Sequence, residues 1–594
     1  MFQKIKLTFG KTDGAVREYP MMLLMALLAA VSLICYADGN YNSNPNYFVF
    51  IKFALVCCLG ISLMFALKML SQRIGQGILL EIAAVLFLIF FYFLLPEKER
   101  DFTEKYAFLI IPTFILSHLL VSFVAFTGKN KEIRFWQYNK NLFINIFLTA
   151  VFTGVLTGGA ELAVLAIDKL FDFNFSDRLY AQLFYFLAIF GSCFIFLLFS
   201  EEGLKNLEKD GNYPIILKFF TQYILIPLLI IYAVILYFYA AKILINWELP
   251  RGWVSYMVLA YSLVGILALL LVHPLKQDST KSWVKLFSRI FHFSLSPLLI
   301  LLFTAIFTRI LEYGYTEPRY FVLLLSLWLS TVVLYFIFAP KSTIKFIPMS
   351  LFTFGLFALT IPYLNTFSVA KRSQKTELQK VLQENNLLRN NHIDFTKKVS
   401  DTVADEVAGK FAFLMQRGDS AFLMNYLNKT DKTALAKQLT ERNAYGLQNN
   451  LRFRFSNVVN TRRTPEYNRL EIVAESKVQK IAGYDYMIGF EDFYNDTNFK
   501  IGDDVFSISS RTGMPDMWLK IKLNNSETWE VTPFIRQMLS SNAQRNGRQE
   551  VPELMTERVL GKYHIKVFFN MISRENTNRE QINFNGGYIL IKEK

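Results

Sequence analysis

Three ionisable side chains lie inside long apolar stretches, where a charge is costly and therefore marks a candidate site. Glu161 and Lys52 each fall within about two turns of the end of an apolar run, and His118 lies nearer the centre of another. Lys52 and Glu161 are candidates to pair, with His118 as a possible third member. A structural ion pair or the lining of a water cavity is the preferred interpretation, and a proton or substrate pathway is the alternative.

Glycines surround Glu161. Gly154 and Gly158 are four residues apart, a spacing that favours the close approach of a second helix. Gly159 lies beside them and could loosen the helix, as in transporter helices that are broken within the membrane. Close packing is the preferred interpretation.

Two polar segments between apolar runs carry arginines beside carboxylates, a composition suited to gripping a phosphate, a carboxylate or a lipid head group. The segment 247–255 contains Arg251, between two tryptophans and next to Pro250 and Gly252. The segment 309–320 supplies five further candidates: Arg309, Tyr313, Gly314, Thr316 and Arg319. The preferred interpretation is that the arginines pair with Glu248, Glu312 and Glu317 and tie the loops together.

Other kinds of chemistry lack their usual residue patterns. All four cysteines fall in apolar runs, and the five histidines are scattered without the spacing of metal ligands. A cluster of acidic residues at 491–504 does not match a calcium-binding loop. We therefore predict no catalytic residue, no cofactor and no metal site.

The composition is that of a membrane protein with an additional folded part. The chain has 594 residues, of which 53% are hydrophobic and 19% are charged, with a net charge of +15. Long apolar runs recur from residue 21 to about 367, whereas no run of about 18 apolar residues follows. Because the basic residues of the first part collect in alternate loops, they predict orientation and not nucleic-acid binding.

The apolar runs predict an α-helical polytopic membrane domain of about eleven transmembrane helices. The predicted spans are 20–36, 48–70, 78–95, 106–127, 142–168, 179–200, 219–245, 253–273, 294–310, 319–339 and 345–367. The basic loops, including those around Arg73, Lys205 and Lys345, are predicted to be cytoplasmic. The amino terminus would then be cytoplasmic, and the carboxyl-terminal part would be extracytoplasmic, which means periplasmic in a Gram-negative cell.

One basic loop also has the pattern of a helix that lies on a membrane surface. Lys281, Lys285 and Arg289 recur every four residues, while Trp283 and Phe287 belong to the apolar remainder. This pattern predicts contact with anionic lipid.

Residues 368–594 are predicted to form a soluble α+β domain. Residues 368–430 are typical of a juxtamembrane helical segment, which begins with a charged helix that continues out of the last span to about 391. Residues 431–594 are expected to be rich in strands, at 470–478, 500–509, 517–523, 564–572 and 581–592, with a helix near 533–543.

Three stretches resemble a family of uncharacterised bacterial polytopic membrane proteins, the domain-of-unknown-function family 4153. They are Leu-Pro-Arg-Gly-Trp-Val-Ser at 249–255, the arginine, tyrosine and glycine pattern of 309–320, and Gly-Tyr-Asp-Tyr at 483–486. The resemblance implies the polytopic architecture. It implies no ligand and no catalytic residue. We predict separately that the protein lies in the bacterial inner (cytoplasmic) membrane.

The leading hypothesis is a membrane protein of the bacterial cell envelope that binds, senses or scaffolds through its extracytoplasmic carboxyl-terminal domain, with an envelope protein or glycolipid as the partner. A secondary transporter that uses Glu161, Lys52 and His118 is the first alternative. A membrane-embedded glycosyl or lipid-linked transferase is the second, although the first outer loop offers only Asp38 as a carboxylate. Under the leading hypothesis, the protein is not an enzyme.

Overall fold

A computed structural model describes residues 12–41, 47–128, 132–209, 213, 215–246, 253–277, 282–455, 457–459, 468–474, 481–490, 497–511, 517–541, 547–576 and 580–594. The chain divides into two compact units, Met1–Val459 and Asn460–Lys594. The first contains the membrane helices, and the second contains two β-sheets.

Within the described residues, ten helices are long and apolar enough to cross a membrane. The ten helices, α1 to α10, are Pro20–Gly39, Phe48–Ile74, Gly77–Leu94, Glu104–Phe126, Glu132–Phe171, Asp177–Phe199, Leu217–Asn246, Val254–Leu275, Leu286–Tyr313 and Glu317–Phe338. They form in apolar sequence because a helix satisfies its own backbone hydrogen bonds where no water can do so. The predicted multi-pass architecture is confirmed.

An eleventh helix, α11 (Phe346–Thr360), has 15 residues and rises only about 22 Å. It nevertheless returns the chain to the end of the molecule where α10 begins. The Tyr320 hydroxyl, in the first turn of α10, donates a hydrogen bond of 2.5 Å to the Leu364 carbonyl, which follows α11. At the other end, the Ile344 amide, which precedes α11, donates to Glu132 at the start of α5. Among the described residues, α11 is therefore an eleventh helix that runs between the two ends of the helical body.

The prediction that the last span continues into a charged helix reaching about residue 391 is wrong. The chain turns after α11, and a new helix, α12 (Thr366–Glu384), follows. Asn365 begins it as an N-cap, because its side chain accepts the Ser368 amide at 2.8 Å. A positive φ of 63° at Tyr363 accompanies the turn.

The interhelical loops meet at two opposite ends of the body. At one end, which we call the basic face, Arg73 pairs with Glu208 and His273 lies 3.2 Å from Glu132. At the other, which we call the cap face, the Tyr47 hydroxyl donates to Glu99. This grouping of the loops agrees with the alternation predicted from lysine and arginine.

A group of helices that we call the cap (residues 366–455) follows α11 on the cap face. It consists of α12 with α13 (Asp401–Gln416), α14 (Ser420–Met424), α15 (Lys429–Glu441) and α16 (Ala444–Arg454), and with short strands β1 (Leu388–Arg389), β2 (His392–Ile393) and β3 (Lys398–Ser400). Its core buries Leu378, Phe411 and Leu451. Strand β3 pairs in parallel with β4 (Asn457–Val459), which ends the first unit.

The second unit, which we call the strand-rich unit (Asn460–Lys594), has ten described strands and one described helix. The strands β5 to β14 are Asn468–Ala474, Tyr486–Phe490, Thr497–Ile501, Asp504–Arg511, Trp518–Leu523, Glu527–Glu530, Gly547–Val551, Met555–Leu560, Tyr563–Asn576 and Glu580–Glu593, and the helix α17 is Thr532–Ser541. A four-stranded sheet has the order β10-β9-β8-β7, and a six-stranded sheet has the order β11-β5-β13-β14-β6 with β12 on β13. Phe506, Ile535 and Ile565 contribute to one shared core. The prediction of an α+β carboxyl-terminal fold is confirmed.

Candidate functional site in the 309–320 segment

The segment 309–320 links α9 to α10 and receives helix α12 of the cap. Gly314 has φ +72°, and a Cβ there would lie 2.7 Å from Cγ of Glu377 and 2.8 Å from Oγ of Ser373. Both the backbone conformation and the close approach of α12 therefore require glycine. This explains why residue 314 of this polar segment is a glycine.

The backbone of the segment is hydrogen-bonded to side chains of α12. The amide of Tyr315 donates to Oγ of Ser373 at 2.8 Å. The Gln374 side-chain amide donates to the carbonyls of Tyr313 and Tyr315, at 2.8 and 3.0 Å. Gln374 is buried, so α12 satisfies loop groups that would otherwise be costly to bury.

Arg319 supports the segment from the side of α10. Its guanidinium donates to the carbonyls of Gly314, at 2.8 Å, and Tyr313, at 3.2 Å. Arg309 and Arg319 both lie over the Tyr313 ring, 5.9 and 5.4 Å from its centroid. Thr316 precedes α10 and accepts the Tyr320 amide through its carbonyl. These candidates therefore belong to one structural cluster.

The carboxylate of Glu317 is paired with an arginine of the cap and not with Arg319, so the predicted pairing of Arg319 with Glu317 is wrong. Nε and Nη2 of Arg417 each donate to one oxygen of Glu317 at 2.7 Å. The side chains of Glu317 and Arg417 are 0% and 4% exposed. Arg417 also covers the Phe413 ring, 3.4 Å from its centroid. A bidentate buried pair of this kind fixes the relative position of α10 and α13.

Further polar contacts attach the cap to the same face. Arg442 lies 3.2 Å from Asp101, and the Thr103 hydroxyl donates to the Gln416 carbonyl at 3.0 Å. Both Asp101 and Thr103 belong to the loop between α3 and α4. The cap is therefore bound to two separate loops of the membrane body, and the sequence analysis identified neither contact.

The structure does not bring Glu161, Lys52 and His118 together. Lys52 is buried in α2 with its ammonium 4.0 Å from the centroid of the Tyr92 ring. Nδ1 of His118 bonds to the Phe114 carbonyl of its own helix, and the side chain is exposed. Glu161 is half-buried in α5, and no ion pair links it to Lys52 among the described residues.

The glycines near Glu161 show neither of the two expected effects. The helix α5 continues without a break from Glu132 to Phe171, so Gly159 does not interrupt it. A Cβ at Gly154, Gly158 or Gly159 would meet no atom within 4 Å. Within the described part of the chain, no second helix packs closely against them.

The remaining candidates lie partly outside the described residues. Arg251 and Lys281 are outside them, and the side chain of Lys285 is not described. Arg289 is exposed in α9. In the described ranges, no group of three or more metal-ligating side chains is placed to hold a metal ion.

Sequence comparisons place the chain in a family. Over 411 residues it is 24% identical to a protein of Pasteurella multocida (strain Pm70) named "Uncharacterized protein PM1469", an alignment that covers 67% of this chain and 64% of the relative. The chain thus spans just under two thirds of the relative's length. No solved structure matches it.

The sequence model of a family described as "Domain of unknown function (DUF4153)" matches residues 23–401. The matched range contains most of α1 and all of α2 to α10, together with the 309–320 segment, but not Gly483–Tyr486 of the strand-rich unit or Arg417. The resemblance stated from the sequence is confirmed, since the match covers more than half of the chain. The chain belongs to the DUF4153 family.

Proposed function

We propose that the protein is a non-enzymatic inner-membrane protein of the bacterial cell envelope that binds or scaffolds an envelope partner through its strand-rich unit. The observation that carries the proposal is the buried pair of Glu317 and Arg417. It makes the cap a fixed extension of the membrane body. The strand-rich unit follows the cap in the sequence and has a core of its own.

The contacts of the 309–320 segment support a structural role for that segment. The carbonyls of Tyr313 and Gly314 accept from Gln374 and Arg319, and Glu317 is occupied by Arg417. A substrate site needs polar groups that are open to the substrate. In the 309–320 segment, most of the polar groups instead contact residues of the cap.

We place the basic face in the cytoplasm and the cap with the strand-rich unit outside it, because short cytoplasmic loops are enriched in lysine and arginine. Paired reporters fused after Lys594, one active only outside the cytoplasm and one only inside, test this orientation. An outside signal is expected. An inside signal would require cytoplasmic partners and would overturn this part of the proposal.

A specific observation keeps the transporter as a second candidate. Thr153 and Thr157 precede Glu161 at intervals of four residues along α5, and both are buried. Their hydroxyl groups have no hydrogen-bond partner among the described residues. Polar groups without partners along a membrane helix suit a hydrated path. Because Lys52 and His118 lie elsewhere, such a path would rely on Glu161 alone.

The transferase alternative requires a carboxylate that is free to act as a base or a metal ligand. The Asp38 carboxylate accepts hydrogen bonds from the Gln182 side chain at 3.0 and 3.2 Å. That contact favours a structural role for Asp38. An altered envelope glycolipid profile in a deletion strain would support the transferase instead.

Photo-crosslinking in living cells tests the binding role. A photoreactive residue would replace exposed Met487 or Val559 of the six-stranded sheet, or exposed Val505 of the four-stranded sheet as the control. If one of the two sheets carries the binding face, a discrete adduct is expected from the positions in that sheet. No adduct is expected from the positions in the other sheet. Absence of adducts from all three positions, with normal protein levels, would contradict the proposal.

A further inference from the structure

A cavity with a mixed polar and apolar lining opens on the basic face, at the opposite end of α10 from Glu317. Its volume is about 820 Å³. It lies between the end of α10, the start of α11, the residues that follow α4 and the first residue of α5. None of the candidates from the sequence analysis lines it.

The rim of the cavity is cationic. Lys341 is exposed, and no carboxylate lies within ion-pair distance of it among the described residues. Lys345 donates to the Gly128 carbonyl at 2.8 Å, which holds its ammonium at the rim. The Glu132 carboxylate also lines the cavity, but it is already engaged by His273 and the Ile344 amide. The rim therefore favours an anion.

Tyr335 provides a hydrogen-bond donor in a fixed position. Its ring stacks on Phe346 with the centroids 4.0 Å apart and an interplanar angle of 19°. Its oxygen accepts the Thr343 amide at 3.0 Å, which leaves the hydroxyl proton available for an acceptor in the cavity. Ser342 adds a second hydroxyl to the same wall.

The cavity becomes apolar along α11. Met349 and Phe354 line it, together with Ser350 and Thr353, whose hydroxyls donate to carbonyls of their own helix. Ser350 and Thr353 therefore present little polarity to the cavity. A ligand that fits such a lining has an anionic head and a hydrocarbon tail.

We propose that this cavity binds an anionic phospholipid from the surrounding bilayer. Lys341 and Tyr335 contact the phosphate of the head group, and the acyl chain lies along Met349 and Phe354. A membrane lipid is the favoured source of the phosphate, since an apolar wall at the end of a membrane helix would contribute nothing to binding a soluble anion. The inference does not depend on the proposed binding role of the strand-rich unit.

The test is native mass spectrometry of the purified full-length protein, exchanged into detergent with either phosphatidylglycerol or zwitterionic phosphatidylcholine. The variants are Lys341→Gln and Tyr335→Phe, which keeps the aromatic stack. Lys205→Gln is the matched control, because Lys205 is an exposed lysine of the same face that does not line the cavity.

The wild-type protein should retain phosphatidylglycerol in preference to phosphatidylcholine. Lys341→Gln should reduce that retention about tenfold and Tyr335→Phe about fivefold, as loss of a charged or neutral hydrogen bond predicts. Lys205→Gln should leave it unchanged. Equal retention of the two lipids, or an equal loss in Lys205→Gln, would overturn the proposal.

Competition with glycerol phosphate separates a lipid from a soluble phosphate. Glycerol phosphate at the concentration of the lipid should not displace phosphatidylglycerol, because it lacks the acyl chain. Displacement at that concentration would assign the cavity to a soluble phosphorylated ligand and would refute the lipid assignment.

Discussion

Glu317 and Arg417 are 100 residues apart in the sequence and form a bidentate ion pair that is closed to solvent, with both nitrogen–oxygen distances at 2.7 Å. One residue begins a membrane helix, and the other follows the last turn of a cap helix. Removal of one partner leaves the other buried and uncompensated, which costs more than the pair itself contributes. The pair is therefore the most sensitive point of the attachment between the cap and the membrane body.

We expect Glu317→Gln to destabilise the docked cap by about 3 to 5 kcal/mol. Arg442→Gln is the control, because its pair with Asp101 is about one-third exposed and such pairs contribute at most about 1 kcal/mol. Hydrogen exchange of peptides from α12 and α13 in the full-length protein measures the effect. Similar exchange in the two variants would show that burial of the pair is unimportant.

We expect Gly314→Ala to displace α12 from the 309–320 segment. Gly418→Ala is a matched control, since Gly418 has a similar positive φ of +77° but nothing lies within 4 Å of its Cβ position. Both variants incur backbone strain of about 1 kcal/mol, and only Gly314→Ala adds the clash with Glu377 and Ser373. A larger fall in the unfolding midpoint of Gly314→Ala is expected, and equal midpoints would argue against the clash.

The transporter alternative predicts a separate outcome for Glu161→Gln. No partner of Glu161 is lost among the described residues, so the variant should insert and accumulate normally. Under the proposed binding function it should also support normal growth. A growth defect in cells with normal levels of the variant would favour transport through α5. Quantitative membrane blots and growth curves distinguish the two.

The strand-rich unit should lose stability in acid through Asp504. Hydrogen bonds from Asn524, at 2.6 Å, and Tyr563, at 2.8 Å, hold the pKa of Asp504 below its usual range. A depressed pKa contributes stability above the unfolded value of about 4, and that stability is lost as the pH falls through the folded value.

The measurement is the difference in hydrogen exchange of β8 and β13 peptides between the wild type and Asp504→Asn at each pH. Comparison at equal pH cancels the intrinsic exchange rate. The difference should be present at neutral pH and should shrink below about pH 4. Asp503→Asn, at the adjacent exposed position, is the control. A difference that is constant with pH would refute the role of the Asp504 charge.

The membrane helices were predictable from the sequence because their signal is long and local. Some turns and helix starts also have a recognisable pattern in the local sequence. The strand predicted at 500–509 is really the hairpin of β7 and β8, which turns at Gly502 with φ +59°. Gly502 and Asp503 are a common pair in two-residue turns. The helices α15 and α16 begin at the N-caps Asn428 and Asn443, and asparagine at this position is a local signal of a helix start.

The candidate site was predictable only in part. The segment 309–320 was identified, with Gly314 among its candidate residues. The partner of Glu317 was not, since nothing near Glu317 in the sequence indicates an arginine a hundred residues away. Arg319 is a nearer candidate, yet its guanidinium is used by the carbonyls of Tyr313 and Gly314. Long-range pairing depends on the packing of the cap, which a local pattern does not contain.

The brevity of α11 has a consequence for the lipid around the protein. Its 15 residues rise about 22 Å, against a hydrocarbon thickness of about 30 Å. Leu356 and Phe357 are exposed on its surface, so acyl chains must cover a helix that is too short for them. A bilayer meets such hydrophobic mismatch by thinning locally. We therefore expect the lipid annulus of the protein to be thinnest beside α11.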